Sequence, residues 1–511
     1  MSQSPGTVAV AKRSLSHFAI GKAFAALVGI GTLLLLVRSL GRGDYGFYIA
    51  LFAVFEIVQL AASPGAYAVA FRYLPELRQQ GAGLALSKLV GGLSLYRLLT
   101  LALVAGIAAA VSEPLSGLLG DERRAVAVRW FALILLFEGM ARFIDVQFES
   151  LLQQGVAQVS TLCRNGSKFI ALLWLGQVGS HEVALDTWLQ MEAVTSGVGM
   201  LVSCVLMERY RRSRRREPQA DTVPMPMLGR LARFSAPTYL SQVLYLAAGV
   251  DMVKVLVNKL IGTAVIGAFG FASALAGTIQ RYLPSFLLIG WVRPLFISAR
   301  SQGKSPQDLV ALAGTVIKLN LLMLAPISTV LLVAGDAVVH LLSGGRMADS
   351  LVYLHFFMLL LVLQTVRGVV SLLGMTMEVG NGSLVSTCVS LVGIALGLLF
   401  YSTAGVWSLC IGLLIAEGSW TLVMVAFLRR RGLRYGLPMI PICKFGVGVI
   451  VAWALGSAVL AVVPGLHLLW QLLIAALAAL TCLMACAVLK PFDAEERGLI
   501  NRLLPGKFFV W

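Results

Sequence analysis

Long apolar runs recur along the chain, with short polar segments between them. A helix needs about 20 predominantly apolar residues to cross a bilayer, and the runs reach about that length. The first run follows Lys12 and Arg13 and has no small-residue cleavage site, so we interpret it as a retained helix and not a signal peptide. We predict fourteen membrane-spanning helices, spans 1 to 14, at residues 17–38, 46–70, 86–111, 126–149, 156–177, 184–207, 236–258, 266–290, 308–334, 351–376, 383–401, 405–428, 441–463 and 466–489.

The composition agrees with a chain that lies mostly in lipid. Of the 511 residues, 58% are hydrophobic and 13% are charged, whereas soluble proteins have about 25% charged residues. Disordered chains are poor in apolar residues, and soluble domains of this total length would need polar surface that the chain lacks. The composition therefore excludes a disordered chain and a set of soluble domains, and we predict an all-α polytopic membrane protein.

The positive charge is concentrated in one set of loops. The chain has 41 Lys and Arg residues against 24 Asp and Glu, a formal net charge of +17. We predict that both termini are cytoplasmic, because basic loops then lie inside, as in other membrane proteins. The charge therefore gives no reason to expect nucleic acid as a partner. The arginines on the predicted cytoplasmic side include Arg72, Arg78, Arg209, Arg211, Arg212, Arg214, Arg215, Arg216, Arg300, Arg429, Arg430, Arg431 and Arg434.

Cysteines, histidines and glycines show no pattern typical of a cofactor site. The seven cysteines lie in apolar stretches, without the spacing of a disulfide framework or a zinc site. Among the scattered histidines, only His355, near the start of span 10, is placed for a cavity. Since no Gly-rich loop of the Walker type occurs, we predict no cofactor, no metal and no direct use of ATP.

The sequence contains an internal repeat. A shift of 221 residues places Gly46 on Gly267 and Arg97 on Lys318, and Pro64 lies within one residue of the position matching Pro284. The two copies are six spans apart, an even number, so both halves point the same way across the membrane, as in transporters with parallel repeats. We predict two six-helix lobes around a central cavity, with spans 13 and 14 outside the repeat.

A long polar connection separates the two halves. Residues 210–226 begin with an arginine block and end in a proline-rich stretch, which is typical of a linker. A basic patch that binds anionic lipid is the functional alternative. The predicted organisation is an N-terminal lobe (1–207), a basic cytoplasmic linker (208–235), a C-terminal lobe (236–428), and a last part (429–511) with spans 13 and 14 and a cytoplasmic tail.

The turn after span 1 resembles that of a known family. The segment RSLGRGDYGFY at 38–48 resembles the marker of the polysaccharide transporter branch of the multidrug/oligosaccharidyl-lipid/polysaccharide (MOP) exporter superfamily. The segment RYLPE at 72–76 is similar to that branch's usual continuation. The residues that carry the resemblance are Arg38, Gly41, Tyr45 and Gly46.

The resemblance implies a flippase of the bacterial inner membrane. It would move undecaprenyl-diphosphate-linked oligosaccharide repeat units to the outer leaflet, for exopolysaccharide, capsule or O-antigen synthesis. A cationic cavity would receive the diphosphate while the two lobes rock between inward-open and outward-open states. The implied partners are the lipid-linked oligosaccharide, membrane lipid, and the polymerase and glycosyltransferases of the same pathway.

Charged residues within the spans mark the candidate site. Each costs at least about 2.5–3.5 kcal/mol at the centre of a span, so it should face a cavity or a partner. Many of the cations have no carboxylate near them in sequence, and a diphosphate would supply the missing negative charge. The candidate cavity cations are Lys22, Arg142, Arg164, Lys168, Lys254, Arg281 and Lys318.

Several of these cations have structural alternatives. Lys22 is near enough to the end of span 1 to snorkel. Arg142 shares a helical face with Glu138 and Asp145, and an ion pair there would stabilise packing within the lobe. Arg97 and Lys318 are repeat-related and fit equally well as matched structural residues.

An ion gradient is the expected energy source, because no ATP site is present. Carboxylates within the membrane can titrate and so couple a proton or sodium gradient to the rocking of the lobes. Asp145 and Asp251 are the first candidates for this role, and Glu138 and Glu56 are the next.

Three other classes fit the sequence less well. A drug or cation exporter of the same superfamily should have an acidic cavity, whereas the spans hold more Lys and Arg than Asp and Glu. A polysaccharide polymerase or ligase typically has a sizeable outer loop, and the predicted outer loops are short. A major-facilitator carrier would have its signature after span 2, where residues 71–81 differ from it.

Overall fold

The computed structural model describes residues 24–151, 153–178, 182–215, 227–287, 306–377, 379–433, 435–463, 465 and 467–503. The regular structure of these ranges is helical, and they contain no strand, so the all-α prediction is confirmed. Several residues of the sequence analysis lie outside the described residues, as do residues 216–226 of the linker: Lys12, Arg13, Lys22, Arg216, Arg300 and Arg434.

The helices are numbered in chain order. In the first half of the chain they are α1 (Phe24–Ser39), α2 (Arg42–Ala61), α3 (Ala66–Gln79), α4 (Gly83–Ala110), α5 (Ser112–Leu118), α6 (Ala125–Ser150), α7 (Gln154–Val178), α8 (Leu185–Arg215), α9 (Leu228–Ala247) and α10 (Val250–Ile261). Those that follow are α11 (Thr263–Tyr282), α12 (Pro284–Leu287), α13 (Pro306–Ser343), α14 (Ser350–Thr376), α15 (Gly380–Leu399), α16 (Tyr401–Ala404), α17 (Val406–Arg430), α18 (Met439–Val462), α19 (Leu468–Leu489) and α20 (Ala494–Leu503).

Each predicted span falls on one or two of these helices. Within the described part of the chain, ten helices are long and apolar enough to cross a membrane. The chain is therefore a multi-pass membrane protein. Helices α6 and α7, on spans 4 and 5, are not among the ten, and both carry many charged residues. The total of fourteen spans stays a prediction.

Span 2 differs from its predicted form. The sequence predicts one helix over 46–70, but α2 ends at Ala61 and α3 begins at Ala66. The break contains Pro64, which has no N–H to continue the helical hydrogen bonds. It also contains Gly65, whose φ of 70° is in the left-handed region that favours glycine. Span 2 is therefore a discontinuous helix.

Side chains from other helices bond the carbonyl groups near this break. Arg97 of α4 donates to the carbonyl oxygen of Gln59 over 2.8 Å, and the hydroxyl of Tyr239 in α9 donates to the carbonyl oxygen of Ala61. Backbone acceptors left unpaired within a membrane are costly. Arg97 is fully buried, so its position fits the structural alternative better than a substrate-binding one.

Span 8 breaks at the equivalent place of the repeat. Helix α11 ends at Tyr282 and α12 begins at Pro284, within one residue of the repeat position of Pro64. The side-chain oxygen of Asn320 in α13 accepts a hydrogen bond from the backbone N–H of Ser285 over 2.9 Å. Matching breaks in spans 2 and 8 agree with the predicted repeat.

The chain forms two compact units, residues 1–267 and 268–511. The core of the first unit lies among α3, α4 and α6, and includes Phe143 and Phe148. The core of the second lies among α13, α14, α17, α18 and α19, and includes Trp420. Helices α9 and α10 belong to the first unit, since they pack against α3 and α2. The predicted lobe boundaries on either side of 208–235 stay a prediction.

Candidate functional site

Seven charged side chains in the first unit form one largely buried group, which we call the charge cluster. Helix α6 contributes three of them, because positions i, i+4 and i+7 of a helix share one face and α6 packs against α2, α4, α7 and α8. Helices α2, α7 and α8 contribute the others. The members of the charge cluster are Glu56, Glu138, Arg142, Asp145, Arg164, Lys168 and Glu192.

Glu138 lies at the centre of the charge cluster. One of its carboxylate oxygens is 2.9 Å from Nε of Arg142 and 3.2 Å from Nε of Arg164, and the other is 3.1 Å from Nζ of Lys168. The hydroxyl of Ser196 donates to that second oxygen over 3.4 Å. The side chain is only 4% exposed. A carboxylate this deeply buried needs such partners, because desolvation of an unpaired charge is very costly.

Glu192 of α8 is a member that the sequence analysis missed. Lys168 donates to both Glu138 and Glu192, with 3.0 Å between its Nζ and an oxygen of Glu192. The hydroxyl of Tyr48 in α2 donates to the same Glu192 oxygen over 3.4 Å. A single glutamate within the apolar run of span 6 was the available signal, since every charge within a span needs a partner.

The two ends of the charge cluster differ in exposure. At one end, Asp145 is 3.0 Å from Arg164 and accepts a second hydrogen bond from Thr161 over 3.3 Å. At the other end, Arg142 is 2.7 Å from Glu56, whose side chain is 41% exposed. The charge cluster therefore runs from a buried carboxylate to a partly open one.

The charge cluster has one carboxylate more than it has cations. Its four carboxylates face three cations, so its net charge is −1 when all seven groups are ionised. Oδ1 of Asp145 and Oε2 of Glu192 are buried and accept no hydrogen bond within the described part of the chain. One proton or one monovalent cation would balance the charge and give such an oxygen a partner. Among the described residues, no three His, Cys, Asp or Glu residues are grouped closely enough to hold a metal ion.

The second unit contains a smaller polar group built around one ion pair. Arg367 of α14 donates to Glu417 of α17 over 2.8 Å, and its guanidinium lies 4.5 Å from the centre of the Trp420 ring. The amide of Gln364 donates to Glu417 over 3.5 Å and accepts from the amide of Gln280 over 2.8 Å. We call Arg367 and Glu417 the second-unit pair.

The two polar groups lie on corresponding helices of the predicted repeat. Arg142 and Glu192 are 50 residues apart, as are Arg367 and Glu417, although the second pair lies four residues, about one helical turn, beyond the positions given by the 221-residue shift. Gln59, which matches Gln280 at the 221-residue shift, also has its side-chain amide against span 4, next to Gly139. The two groups are therefore variants of one arrangement.

The structure also places the predicted site residues that lie outside the charge cluster. Lys254 pairs with Asp251 one turn away over 2.8 Å. Lys318 pairs with Glu496 of the C-terminal helix α20 over 2.7 Å. Arg281 is exposed at the end of α11. Six of the eleven predicted site residues thus come together with Glu192, and the described others do not.

These contacts give the predicted cavity cations partners that their spacing in sequence did not reveal. Arg164 and Lys168 have no carboxylate near them in span 5, yet α6 and α8 bring three to them. Lys318 likewise pairs across a long sequence separation. The argument that a diphosphate must supply their negative charge is therefore weaker for these three residues.

The residues of the turn motif lie at the N-terminal end of α2. Tyr45 is fully buried, and Arg38 is exposed at the end of α1. Arg124 joins this end to the segment before α6, because its guanidinium is 2.7 Å from Asp44 and 2.9 Å from Asp121. This hydrogen bond from Arg124 holds the pKa of the Asp121 carboxyl below its usual value.

His355 lies next to a kink in helix α13. Helix α13 has a non-helical residue, Ala334. Near this kink, Nε2 of His355 lies 3.2 Å from the carbonyl oxygen of Leu331. A cavity of about 280 Å³ lies at the kink, and its lining residues include His355, Asp336 and Gln471.

The comparisons with known proteins identify the fold. No protein-family profile matches the chain, and no curated protein matches it by sequence. The lipid II flippase MurJ, in an inward closed conformation, matches in structure with a TM-score of 0.68 at 13% identity, over 94% of this chain and 99% of MurJ. An inward-facing multidrug resistance transporter of the MATE family, of the MOP superfamily, has a TM-score of 0.61 at 14% identity, over 80% of this chain and 94% of its own.

A third structure agrees with these two. The MATE multidrug transporter DinF-BH, in complex with R6G, has a TM-score of 0.59 at 16% identity, over 85% of this chain and 99% of its own. The chain has the MOP transporter fold. The MOP fold extends over both compact units, because the match to MurJ includes nearly the whole chain.

Proposed function

We propose that the chain is a flippase that moves lipid-linked oligosaccharides across the bacterial inner membrane by alternating access of its two lobes. The observation that carries the proposal is the match to MurJ over 94% of this chain and 99% of MurJ. MurJ is described as a lipid II flippase. The RSLGRGDYGFY segment resembles the polysaccharide transporter branch and favours an oligosaccharide-bearing lipid as substrate.

The extent of the structural matches favours a flippase over a drug exporter. The two MATE transporters match over 80% and 85% of this chain, although nearly all of each MATE chain is included. The share of this chain left over is comparable to residues 429–511, which hold spans 13 and 14. A larger share of this chain is therefore matched by MurJ than by either MATE transporter.

We assign ion coupling to the charge cluster. Its extra carboxylate would take up one proton, and the neighbouring cations would then lose part of their attraction for that group. Tyr48 and Glu56 are both on α2, so a change in the charge cluster would alter how α2 is held. Asp145 is the group proposed to bind the proton, because its buried Oδ1 accepts no hydrogen bond within the described part of the chain.

The diphosphate-binding role then falls to cations outside the charge cluster. Arg142, Arg164 and Lys168 each have carboxylate partners. Arg281 stays a candidate for the substrate site because it is exposed at the end of α11, and Lys22, which lies outside the described residues, stays a candidate from the sequence. We place the protein in the inner membrane with both termini in the cytoplasm, on the basis of its loop arginines.

The proposal is tested by depleting the protein in its host and locating the lipid-linked oligosaccharide. We expect it to accumulate in the cytoplasmic leaflet, and restored export when the intact chain is supplied again. Accumulation in the outer leaflet would contradict the proposal and favour a polymerase or ligase. No accumulation, together with increased retention of R6G by the depleted cells, would favour a multidrug exporter.

The multidrug exporter is the second candidate because one specific observation favours it. DinF-BH, which shares the fold, holds R6G. The excess carboxylate of the charge cluster would attract cationic drugs as well as protons. The retention of R6G in the same depleted cells therefore distinguishes the two functions.

A further inference from the structure

Helix α13 is kinked at a place where no proline requires it. Within α13, Ala334 has a φ of −135° and a ψ of 38°, which are outside the helical region. Pro326 lies eight residues earlier, whereas a proline disturbs the turn that precedes it. Sharp kinks also occur where a side chain enters the ladder of helical hydrogen bonds. A side chain from another helix is therefore the expected support of this kink.

His355 of α14 provides that support. In a regular helix, the carbonyl oxygen of Leu331 accepts a hydrogen bond from the N–H of Gly335, and the non-helical Ala334 lies between these two residues. Nε2 of His355 is 3.2 Å from this carbonyl oxygen. Because a carbonyl oxygen only accepts, Nε2 carries the proton, and Nδ1 of the neutral ring is an acceptor. His355 therefore bonds the kink through one nitrogen and offers an acceptor at the other.

The cavity at the kink is lined by acceptors and by one negative charge. Its walls come from α13 and α14 and from the ends of α18 and α19, all within the second unit. Among its described lining residues, Asp336 is the one with a formal charge when His355 is neutral. Asp336 makes no ion pair within the described part of the chain. A cation with hydrogen-bond donors would therefore complement this lining.

The volume of the cavity indicates an occupant larger than an ion. A water molecule takes up about 30 Å³ in the liquid, whereas the cavity has a volume of about 280 Å³. Pockets for drug-sized ligands have volumes of about 300–1,000 Å³. The cavity is therefore suited to a group of several heavy atoms, which is the size of a lipid head group.

The cavity lies at the level of the head groups in the predicted topology. Spans 9 and 13 end, and spans 10 and 14 begin, at the outer side of the membrane. The exposed Trp470 precedes the lining residue Gln471 in α19, and tryptophan is enriched where the bilayer meets water. Leu332 and Val463 line the cavity and are also exposed. A polar group in the cavity can thus be attached to acyl chains that contact these two apolar residues.

We propose that the cavity at the kink of α13 binds the ammonium head group of a lipid in the outer leaflet, with Asp336 as its counter-charge and Nδ1 of His355 as a second acceptor. An ammonium group has three donors and one positive charge. A diphosphate would be repelled by Asp336, so the cavity is not a site for the proposed substrate. The bound head group favours the kinked form of α13, because it contacts residues on both sides of the kink.

The purified full chain, stripped of lipid in detergent, provides the test. The probes are phosphatidylethanolamine and phosphatidylcholine with identical acyl chains, and binding is followed as a rise in melting temperature. We expect phosphatidylethanolamine to bind at least about tenfold more tightly, because the trimethylammonium group of phosphatidylcholine has no N–H to donate. Free ethanolamine should have little effect, because it has no chains to contact Leu332 and Val463.

Two variants and a matched control locate the binding site. Asp336→Asn removes the counter-charge, and we expect it to abolish the preference for phosphatidylethanolamine. Leu460→Trp fills the cavity from α18 while Asp336 stays in place, and it should abolish the preference as well. The control is Asp349→Asn, because Asp349 is exposed between α13 and α14 and does not line the cavity. This control should retain the full preference.

Equal affinities of the unaltered chain for the two lipids would overturn the proposal. So would a preference for phosphatidylethanolamine that Asp336→Asn leaves intact. A rise in melting temperature as large with free ethanolamine as with phosphatidylethanolamine would overturn the lipid as the occupant. Should Asp336→Asn fail to fold, Leu460→Trp against Asp349→Asn decides the outcome in the same way. These measurements need no transport, so they stay valid if the proposed flippase function is wrong.

Discussion

The charge cluster of the first unit and the Arg367–Glu417 pair of the second are two versions of one arrangement. Both have an arginine on the fourth helix of the repeat and a glutamate on the sixth, 50 residues apart. In the second unit these two residues pair directly over 2.8 Å. In the first unit, Lys168 contacts the glutamate and Arg142 pairs with Glu138 and Glu56 instead.

The difference separates a balanced ion pair from an unbalanced one. Within the described part of the chain, Arg367 and Glu417 have equal and opposite charges, whereas the charge cluster has one negative charge in excess. A balanced buried pair resists any change of protonation, because removing either charge leaves the other unpaired. An unbalanced cluster can gain a proton at a smaller cost. We therefore expect the charge cluster to couple transport to an ion gradient and the second-unit pair to stabilise the folded protein.

The largest effect on stability is expected from Glu417→Gln. Its side chain is 1% exposed and Arg367 is 14% exposed, so the variant leaves a buried guanidinium without this carboxylate. Breaking a buried pair costs about 3–5 kcal/mol. We expect a correspondingly large decrease in the apparent free energy of unfolding in detergent. A smaller decrease than that of Asp145→Asn would contradict the balanced-pair interpretation.

Asp145→Asn should affect coupling more than stability. Three carboxylates then face three cations, so we expect a stability loss of only about 1 kcal/mol. Transport in proteoliposomes should lose its dependence on an imposed proton gradient. The control is Asp251→Asn, because Asp251 pairs locally with Lys254 and lies outside the charge cluster. Gradient-dependent transport by Asp145→Asn would remove this residue from the coupling role.

The contact between Lys168 and Glu192 can be measured by a double-mutant cycle. Lys168→Met leaves Glu138 and Glu192 without their shared cation, and Glu192→Gln removes one of the two carboxylates. Neighbours in one network show interaction energies of about 0.5–3 kcal/mol. We expect the double variant to be more stable than the sum of the single changes predicts. Additive losses would show that the two groups do not interact.

The smallest effect is expected outside the membrane, from Asp121→Asn. Exposed ion pairs contribute about 0–1 kcal/mol. Since the folded pKa of Asp121 is below its usual value, its contribution is present above the unfolded pKa. It disappears as the pH falls through the folded pKa. The difference in melting temperature between the protein and this variant should vanish in acid; a constant difference would contradict the Arg124 assignment.

The sequence is sufficient to predict where the helices lie and which charged residues share one face of α6. Apolar runs give the positions of the helices because the length of a span is set by the bilayer. The spacing of Glu138, Arg142 and Asp145 indicates a shared face of α6 without reference to any other helix. Pro64 and Gly65 marked the break in span 2, but apolar residues on both sides favoured one continuous helix.

The partners in the charge cluster could not be predicted from the sequence. Whether Arg164 meets a substrate or Asp145 depends on how α7 packs against α6. Lys318 pairs with Glu496, which lies after all predicted spans, so no spacing rule connects them. Charge alone indicates that a partner is needed, and only the packing of helices shows which residue it is.

The ion pair between Lys318 and Glu496 also bears on how the last part of the chain can be handled. Glu496 lies on α20, after the last predicted span, and Lys318 lies on α13, so the pair holds α20 against the second unit. A purification tag fused directly behind α20 would crowd this contact, whereas a tag joined through a long flexible linker would leave it intact.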